Sequence, residues 1–327
     1  MDGNQLRKDT LTNTWVINGK RMGKNLDYKS LACPFCPGGN SDYEKEICQY
    51  PKNGPWLVKV VPDKYPLLQI EGDLYRKAEG IYDKMMGIGA HEIIIESPNH
   101  GDRLSTLSLE HMEIVIKTWQ ERISDLKKDE RFRYILLFRN EGEIVGVKHP
   151  HSQIVATPFV SRRLNEELRE MKNYFSLKER CLICDIVNQE IKNEVRLIDE
   201  NQYFIAAAPF ASRFPYETWI LPKNHCHAFE QDTEEENIKE FALMIRNILK
   251  KLETILDEKA YTLCLHTAPN ELSAAFKEEQ WKTLKQDFHW HLEIMPKTSK
   301  TSGFERAAGI YTNPVSPEEA AKTLREA

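Results

Sequence analysis

No apolar run in this 327-residue chain approaches the ~20 residues that a bilayer crossing needs, and the opening MDGNQLRKD is too polar for a secretory leader. Nor is there a basic excess. Lysine and arginine total 45 against 50 aspartates and glutamates, a formal charge of -5 that argues against a nucleic-acid partner. Seven cysteines is an odd count, which excludes a simple disulfide framework. No low-complexity or linker-like stretch separates one part of the chain from another. What remains is ordinary globular composition, 41% hydrophobic and 29% charged, long enough to bury about three-quarters of its unfolded surface without staples. The expectation is a soluble, cytoplasmic protein with no membrane partner.

Four of the cysteines form two Cys-x-x-Cys pairs, Cys33 with Cys36 in CPFC and Cys181 with Cys184 in CLIC. Such pairs are metal ligands or redox dithiols in a reducing compartment. Cys48, Cys226 and Cys264 are isolated and read as packing or surface thiols.

Laid side by side, the segments that follow each pair repeat one another. HEIIIESPNH and YETWILPKNH each open an apolar strand with a glutamate, Glu92 or Glu217, and close it with a histidine, His100 or His225. A long amphipathic helix comes next. The first has apolar positions Met112, Val115, Ile116, Trp119, Ile123 and Leu126 behind an N-cap at Ser108. The second runs through Ile238, Phe241, Ile245, Leu249 and Leu252 from a Thr233–Glu236 capping box. Each half then returns to strands: RYILLFRN leads to HPHSQIVATP, and AYTLCLH leads to FHWHLEIMP. The pattern predicts an α+β fold of two tandem halves, residues 1–172 and 173–327, sharing one sheet. About two dozen residues around GDLYRKAEGIYDKMMGIGA are an insertion in the first half, a loop or an extra strand pair.

A structural zinc ion takes four thiolate and imidazole ligands. The first half offers Cys33, Cys36, His100 and His149, and the second offers Cys181, Cys184, His225 and His289. The expectation is therefore two zinc ions per chain. A rival grouping joins Glu167 and His266 to His289 and His291, and competes with the second thiolate site for His289.

In HPHSQ, the residues His149, His151 and Gln153 alternate and so share one face of a strand. An imidazole fixed at His151 can act as general base, metal ligand or nucleophile. Attack on phosphorus needs a neutral ring whose other nitrogen donates a hydrogen bond, commonly to a backbone carbonyl. Gln153 can donate to a phosphoryl oxygen without changing charge. Trp290, between His289 and His291, faces the opposite side as core or interface.

HPHSQ, CPFCPGG, RKDTLTNTWV, SPNH and GFERAAGIYTNPVSPEEAAKTLR together resemble the galactose-1-phosphate uridylyltransferase family of the histidine-triad superfamily, over essentially the whole chain. The serine of HPHSQ, the intact second Cys-x-x-Cys and the chain's ending look particularly like the ADP-glucose phosphorylase branch. The resemblance implies histidine-triad-like halves, antiparallel strands plus a long helix each, forming a half-barrel-like sheet. It also implies a ping-pong nucleotidyltransferase in which His151 attacks the α-phosphorus of a nucleotide sugar and expels a sugar 1-phosphate, with Gln153 assisting. The nucleotide on His151 then passes to a sugar 1-phosphate or to phosphate. UDP-glucose with hexose 1-phosphate is the leading substrate pair, and ADP-sugar phosphorolysis is the nearest alternative. Dinucleoside polyphosphate phosphorolysis is another reading within the class; outside it stands an inactive zinc-stabilised nucleotide-binding protein.

By the same resemblance Arg21, Lys24, Asp63, Asn140 and Gly142 bind nucleotide or phosphate, while Phe304 and Glu305 reach the hexose, across a homodimer interface in the uridylyltransferases. Two positions depart from the family pattern. Gly146 stands where a phosphate-contacting serine is usual, with Lys148 as a substitute donor, and Asp63 replaces an asparagine.

Overall fold

The computed structural model describes residues 4–19, 33–38, 45–142, 147–257, 259–274, 281–298 and 302–327; Arg21, Lys24 and Gly146 lie outside them. The first half supplies strands β1 (Gln5–Lys8), β2 (Trp15–Asn18), β3 (Cys48–Tyr50), β4 (Val58–Pro62), β5 (Lys77–Glu79), β6 (Tyr82–Met86), β7 (Ala90–Ile95), β8 (Tyr134–Glu141) and β9 (His151–Thr157), with helix α1 (Leu109–Leu126) between β7 and β8. Helices α2 (Arg162–Lys178) and α3 (Leu182–Asn193) follow, so residue 172 falls inside a helix. The second half then supplies β10 (Leu197–Glu200), β11 (Phe204–Ala207), β12 (Thr218–Pro222), helix α4 (Glu235–Ile255), β13 (Tyr261–His266) and β14 (His291–Pro296). Short helices α5 (Leu284–Asp287) and α6 (Gly303–Ala308) and the terminal α7 (Pro317–Glu326) complete the described elements.

Ten strands form one sheet in the order β10-β11-β12-β14-β13-β8-β9-β7-β4-β3. Its pairs are antiparallel throughout. Read outward from the β13–β8 joint, each half contributes the same five strands in the same order, so the repeat in the sequence becomes a repeat in the sheet. The expected insertion is the β5–β6 hairpin, which joins β1 and β2 in a separate four-stranded sheet.

Helices α1 and α4 pack on one face of the large sheet. Every apolar position expected on them is buried, in one core with Ile135, Leu137 and Ile154 of the first half and Leu263, Leu265 and Leu292 of the second. Ser108 caps α1 by accepting from the His111 N–H. The Thr233–Glu236 capping box is not formed. Glu234 is the N-cap of α4, without a side-chain cap bond, so the helix starts one residue late and places Glu235 and Glu236 against its positive end. Trp290 lies in this core against Phe204, Phe229 and Phe241, as its alternation predicts.

The opposite face is covered unequally. Over the second half α2 and α3 lay Leu164, Leu168, Ile183 and Val187 against Ile205 and Leu221. Over the first half the cover is slighter: Phe35 against Val61, Ile93 and Ile95, and at the far end of β9 the small sheet. Among the described residues no helix is long and apolar enough to cross a membrane.

A charged network lies under the joint. Arg139, on β8, has no side-chain exposure and donates through Nε to Glu96 at 2.9 Å. Its Nη1 reaches Tyr261 on β13 at 3.1 Å and Glu141 at 2.7 Å. Ser152 donates to Glu96 and accepts from the Trp119 indole at 3.0 Å, linking α1 to β9. Removing one partner of a buried ion pair strands the other charge. Arg139→Met is therefore expected to lower stability in urea unfolding by about 3–5 kcal/mol, and Glu96→Gln added to it to restore part of that loss.

Candidate active site and metal centres

The turn Cys33–Cys36, the loop after β7 that carries His100, and His149, two residues before β9, converge at one end of the first half. Cys33 and Cys36 Sγ lie 3.6 and 3.5 Å from His149 Nδ1, and Cys36 Sγ lies 3.6 Å from His100 Nδ1. The second half repeats this: Cys181 and Cys184 lie 3.7 and 3.5 Å from His289 Nδ1, and Cys184 lies 3.6 Å from His225 Nδ1. In each quartet the donor atoms all lie within 4.8 Å of one another.

These spacings suit a metal better than they suit hydrogen bonds. A tetrahedral zinc with Zn–S about 2.3 Å and Zn–N about 2.05 Å has S···N edges of about 3.6 Å. One histidine of each quartet has its far ring nitrogen bonded as ligands' usually are: His149 Nε2–H donates to the Ser97 carbonyl at 2.7 Å, and His225 Nε2–H to the Lys285 carbonyl at 2.9 Å, while His289 Nε2 is buried with no partner among the described residues. Cys181 is the N-cap of α3 and Cys184 sits in its first turn, where free N–H groups favour thiolate. That helix follows another helix and not a strand, unlike a thioredoxin motif. Both quartets could hold a metal ion.

His289 belongs to the thiolate quartet, and the rival group assembles without it. Glu167, His266, His291 and Glu293 present donor atoms within 4.8 Å of one another. His266 Nδ1 is 2.8 Å from Glu167, and the His266 and His291 rings stack at 4.6 Å. Arg163 and Arg213 hold Glu293 at 2.5 and 3.0 Å. Burial tends to raise this carboxyl, but the neighbouring cations His266 and Arg213 prevail and leave it at about 2.

By sheet position His291 and Glu293 are the counterparts of His151 and Gln153. Their face is filled by side chains from α2, whereas that of His151 is met by the Phe35 edge at 5.2 Å. The ring of His151 is buried and anchored: Nδ1–H donates to the His149 carbonyl at 2.7 Å, leaving the Nε2 lone pair free of that bond. Burial pushes this imidazole down to about 4, so it is neutral at pH 7.

Gln153 lies on the same face, and its partner is a residue the sequence reading passed over. His91, on β7, brings Nε2 to 2.9 Å from Gln153 Oε1. In AHEIII the glutamate that opens the strand, Glu92, turns to the helix face and grips Arg122 of α1 through two 2.8 Å bonds. The signal for His91 is the same alternation, which turns it away from Glu92, and the register of β7 on β9 then brings it to Gln153.

Asp63 is engaged within the protein. Its Oδ1 accepts from the Tyr65 N–H at 2.9 Å, and its Oδ2 lies 3.1 Å from His91 Nδ1. Asn140, Gly142 and Lys148 line one cavity of about 310 Å³ with His100, Arg139 and His149, a lining that does not include His151 or Gln153. Asn140 also accepts from Thr262 at 2.8 Å. Gly142 has φ +85°, and a Cβ there would come within 2.6 Å of Ala260, so backbone shape and packing both require glycine. Phe304 and Glu305 lie on α6, apart in sequence from all of these. Phe304 is 57% exposed, and Glu305 closes a capping box with Ser302 while accepting from Thr312, bonds that hold its carboxyl at about 2.

Comparison with known proteins gives this geometry a lineage. Family models for the galactose-1-phosphate uridyl transferase N-terminal and C-terminal domains match residues 5–161 and 167–320. The chain belongs to the galactose-1-phosphate uridylyltransferase family. An ADP-glucose phosphorylase of Arabidopsis thaliana is 31% identical over 338 residues, covering 98% of this chain and 92% of its own length. The galactose-1-phosphate uridylyltransferase of Thermotoga maritima is 31% identical over 333 residues, covering 98% of each. Among solved structures, the Arabidopsis ADP-glucose phosphorylase with bound ADP-glucose superposes with a TM-score of 0.78 at 30% identity, over 99% of both chains. A uridylyltransferase superposes at 0.81 with 27% identity, over 98% of this chain and 97% of its own. As a member of this family the chain is a transferase enzyme.

Proposed function

We propose that this protein transfers a nucleotidyl group through a covalent adduct on His151, with UDP-glucose and a hexose 1-phosphate such as galactose 1-phosphate as its substrates. The observation that carries this reading is the 2.7 Å bond from His151 Nδ1–H to the His149 carbonyl. It fixes the tautomer whose Nε2 lone pair is the nucleophile. Nε2 forms a bond to the α-phosphorus, and the bond from that phosphorus to the bridging oxygen breaks. The sugar 1-phosphate departs as an anion and needs no proton. The ring becomes cationic in the adduct, where the His149 carbonyl dipole stabilises it. The Gln153 amide donates to a phosphoryl oxygen as its charge grows, and an acceptor phosphate then takes the nucleotide from His151.

Each quartet holds one zinc ion in this reading, and the metal supplies a structural cross-link. His149 thereby ties the nucleophile's carbonyl partner to a fixed point. The first half, to residue 172, carries the nucleophile, and residues 173–327 supply the second quartet and the filled face. Lys148, Asn140, Gly142 and Asp63, with Arg21 and Lys24, serve the nucleotide and its phosphates. Phe304 and Glu305 serve the hexose from the partner protomer of a homodimer, and the compartment is the cytoplasm.

Phosphorolysis of an ADP-sugar is the second reading. Ser152 of HPHSQ and the intact second Cys-x-x-Cys favour it, as does the similarity to the Arabidopsis enzyme.

Intact mass after mixing with UDP-glucose is expected to show a uridylyl increment, absent in His151→Ala. An adenylyl increment from ADP-glucose alone would decide for the phosphorylase, and no increment with either donor would sink the covalent step. Elemental analysis should find two zinc equivalents per chain, with one lost in Cys33→Ser and the other in Cys181→Ser; unchanged zinc in either variant would remove that quartet from the assignment. Lys148→Ala should slow adduct formation about 10–100-fold if its ammonium contacts phosphate, whereas an unchanged rate would refute the contact.

A further inference from the structure

We infer that His91 is a positioning residue for Gln153: it holds the side-chain carbonyl of the glutamine and thereby aims the amide N–H groups at the phosphoryl group beside His151. The proposal rests on the nucleotidyl-histidine reading above and extends it to a residue on a neighbouring strand.

The orientation of Gln153 depends on which nitrogen of His91 carries the proton. Nδ1 of the ring lies 3.3 Å from the Leu67 backbone N–H, a group that can only donate. In the neutral ring the tautomer that accepts the Leu67 N–H at Nδ1 carries its proton on Nε2, and that is the tautomer which Gln153 Oε1, an atom that can only accept, requires at 2.9 Å; the other would turn Nδ1–H to Asp63 Oδ2. Nε2 then donates to Gln153 across 2.9 Å, and the glutamine must present its oxygen there. In the protonated ring, Nδ1–H turns to Asp63 Oδ2 at 3.1 Å, and Nε2–H still donates to the same oxygen. In both of these Nε2–H states Oε1 of Gln153 faces His91, as the 2.9 Å contact places it, and its NH₂ group faces away. An amide left to itself can flip and offer either end. Here the Nε2–H of His91 holds the oxygen end.

Register explains how the residues meet. Antiparallel pairing sets Ile93 opposite Gln153 and His91 opposite Val155, so His91 and Gln153 are diagonal neighbours on one face. His91 is 8% exposed, and its backbone carbonyl is also bonded to the Asp63 N–H at 2.9 Å, which fixes the ring's base. Asp63 thus acts on Gln153 through His91.

The test measures the rate of adduct formation by quenched-flow mass spectrometry, using whichever of UDP-glucose and ADP-glucose labels the wild type. His91→Phe keeps the ring's bulk and removes the donor; it should slow labelling roughly 10–100-fold, as misplaced catalytic groups do, with donor affinity changed less than about threefold. His91→Gln restores an N–H donor and should recover most of the rate. In a Gln153→Ala background, His91→Phe should cost less than about twofold, because the group it positions is gone. Metal content and the thermal midpoint confirm folding of each variant. A His91→Phe protein that labels at the wild-type rate, or one equally slowed with and without Gln153, would overturn the positioning role alone. A wild type labelled by neither donor would remove the nucleotidyl-histidine reading, and this inference with it.

Discussion

The antiparallel pairing of β8 with β13 is the contact on which the rest of the molecule depends. It converts two five-stranded units into one ten-stranded sheet, so the apolar faces of α1 and α4 share a single core. Backbone hydrogen bonds across this joint leave little room for adjustment. The Arg139 guanidinium lies beneath it, bonded to Glu96 and Glu141 and to Tyr261 of the facing strand. Burying such a charge is costly unless every partner is in place. The joint is correspondingly specific, and Gly142 at the end of β8 accommodates the close approach of Ala260.

From that frame the active face follows by alternation alone. On β9, Ser152 and Ile154 point into the core, which leaves His151 and Gln153 on the other side. The His149 carbonyl bonds the His151 ring, and the His149 ring faces Cys33 and Cys36. A short stretch of backbone therefore joins a metal-type quartet to a nucleophile-type imidazole. Rigidity at the quartet passes to the ring through one peptide and one hydrogen bond.

The two halves share this plan but not its outcome. In the second half the equivalent histidine, His291, is stacked on His266, and the equivalent of Gln153 is Glu293, clamped by two arginines. The difference arises from what lies over the sheet. Among the described residues helices α2 and α3 fill the second face, while Phe35, Trp56 and the small sheet cover the first. A duplicated framework thus carries an imidazole–amide pair in one half and a clamped histidine–glutamate cluster in the other.

Much of this was legible in the sequence, because the signals were periodic or local. The repeat of Cys-x-x-Cys, strand, histidine, helix and His-x-His predicted the tandem α+β halves and the shared sheet. It also grouped the eight cysteines and histidines that the fold brings together in two quartets. Alternation turned Trp290 away from His289 and His291, to core or interface, and the fold makes it core. The start of α4 was misread by one residue, since a capping motif competes with neighbouring acidic residues that suit a helix N-terminus nearly as well. What only the tertiary structure decided were contacts between distant segments. Whether His289 joins thiolates or carboxylates depends on which elements reach it, and spacing along the chain does not encode that distance. For His91 alternation gives only the face: its meeting with Gln153 comes from the register of β7 on β9, and strand register is set by the packing of whole faces.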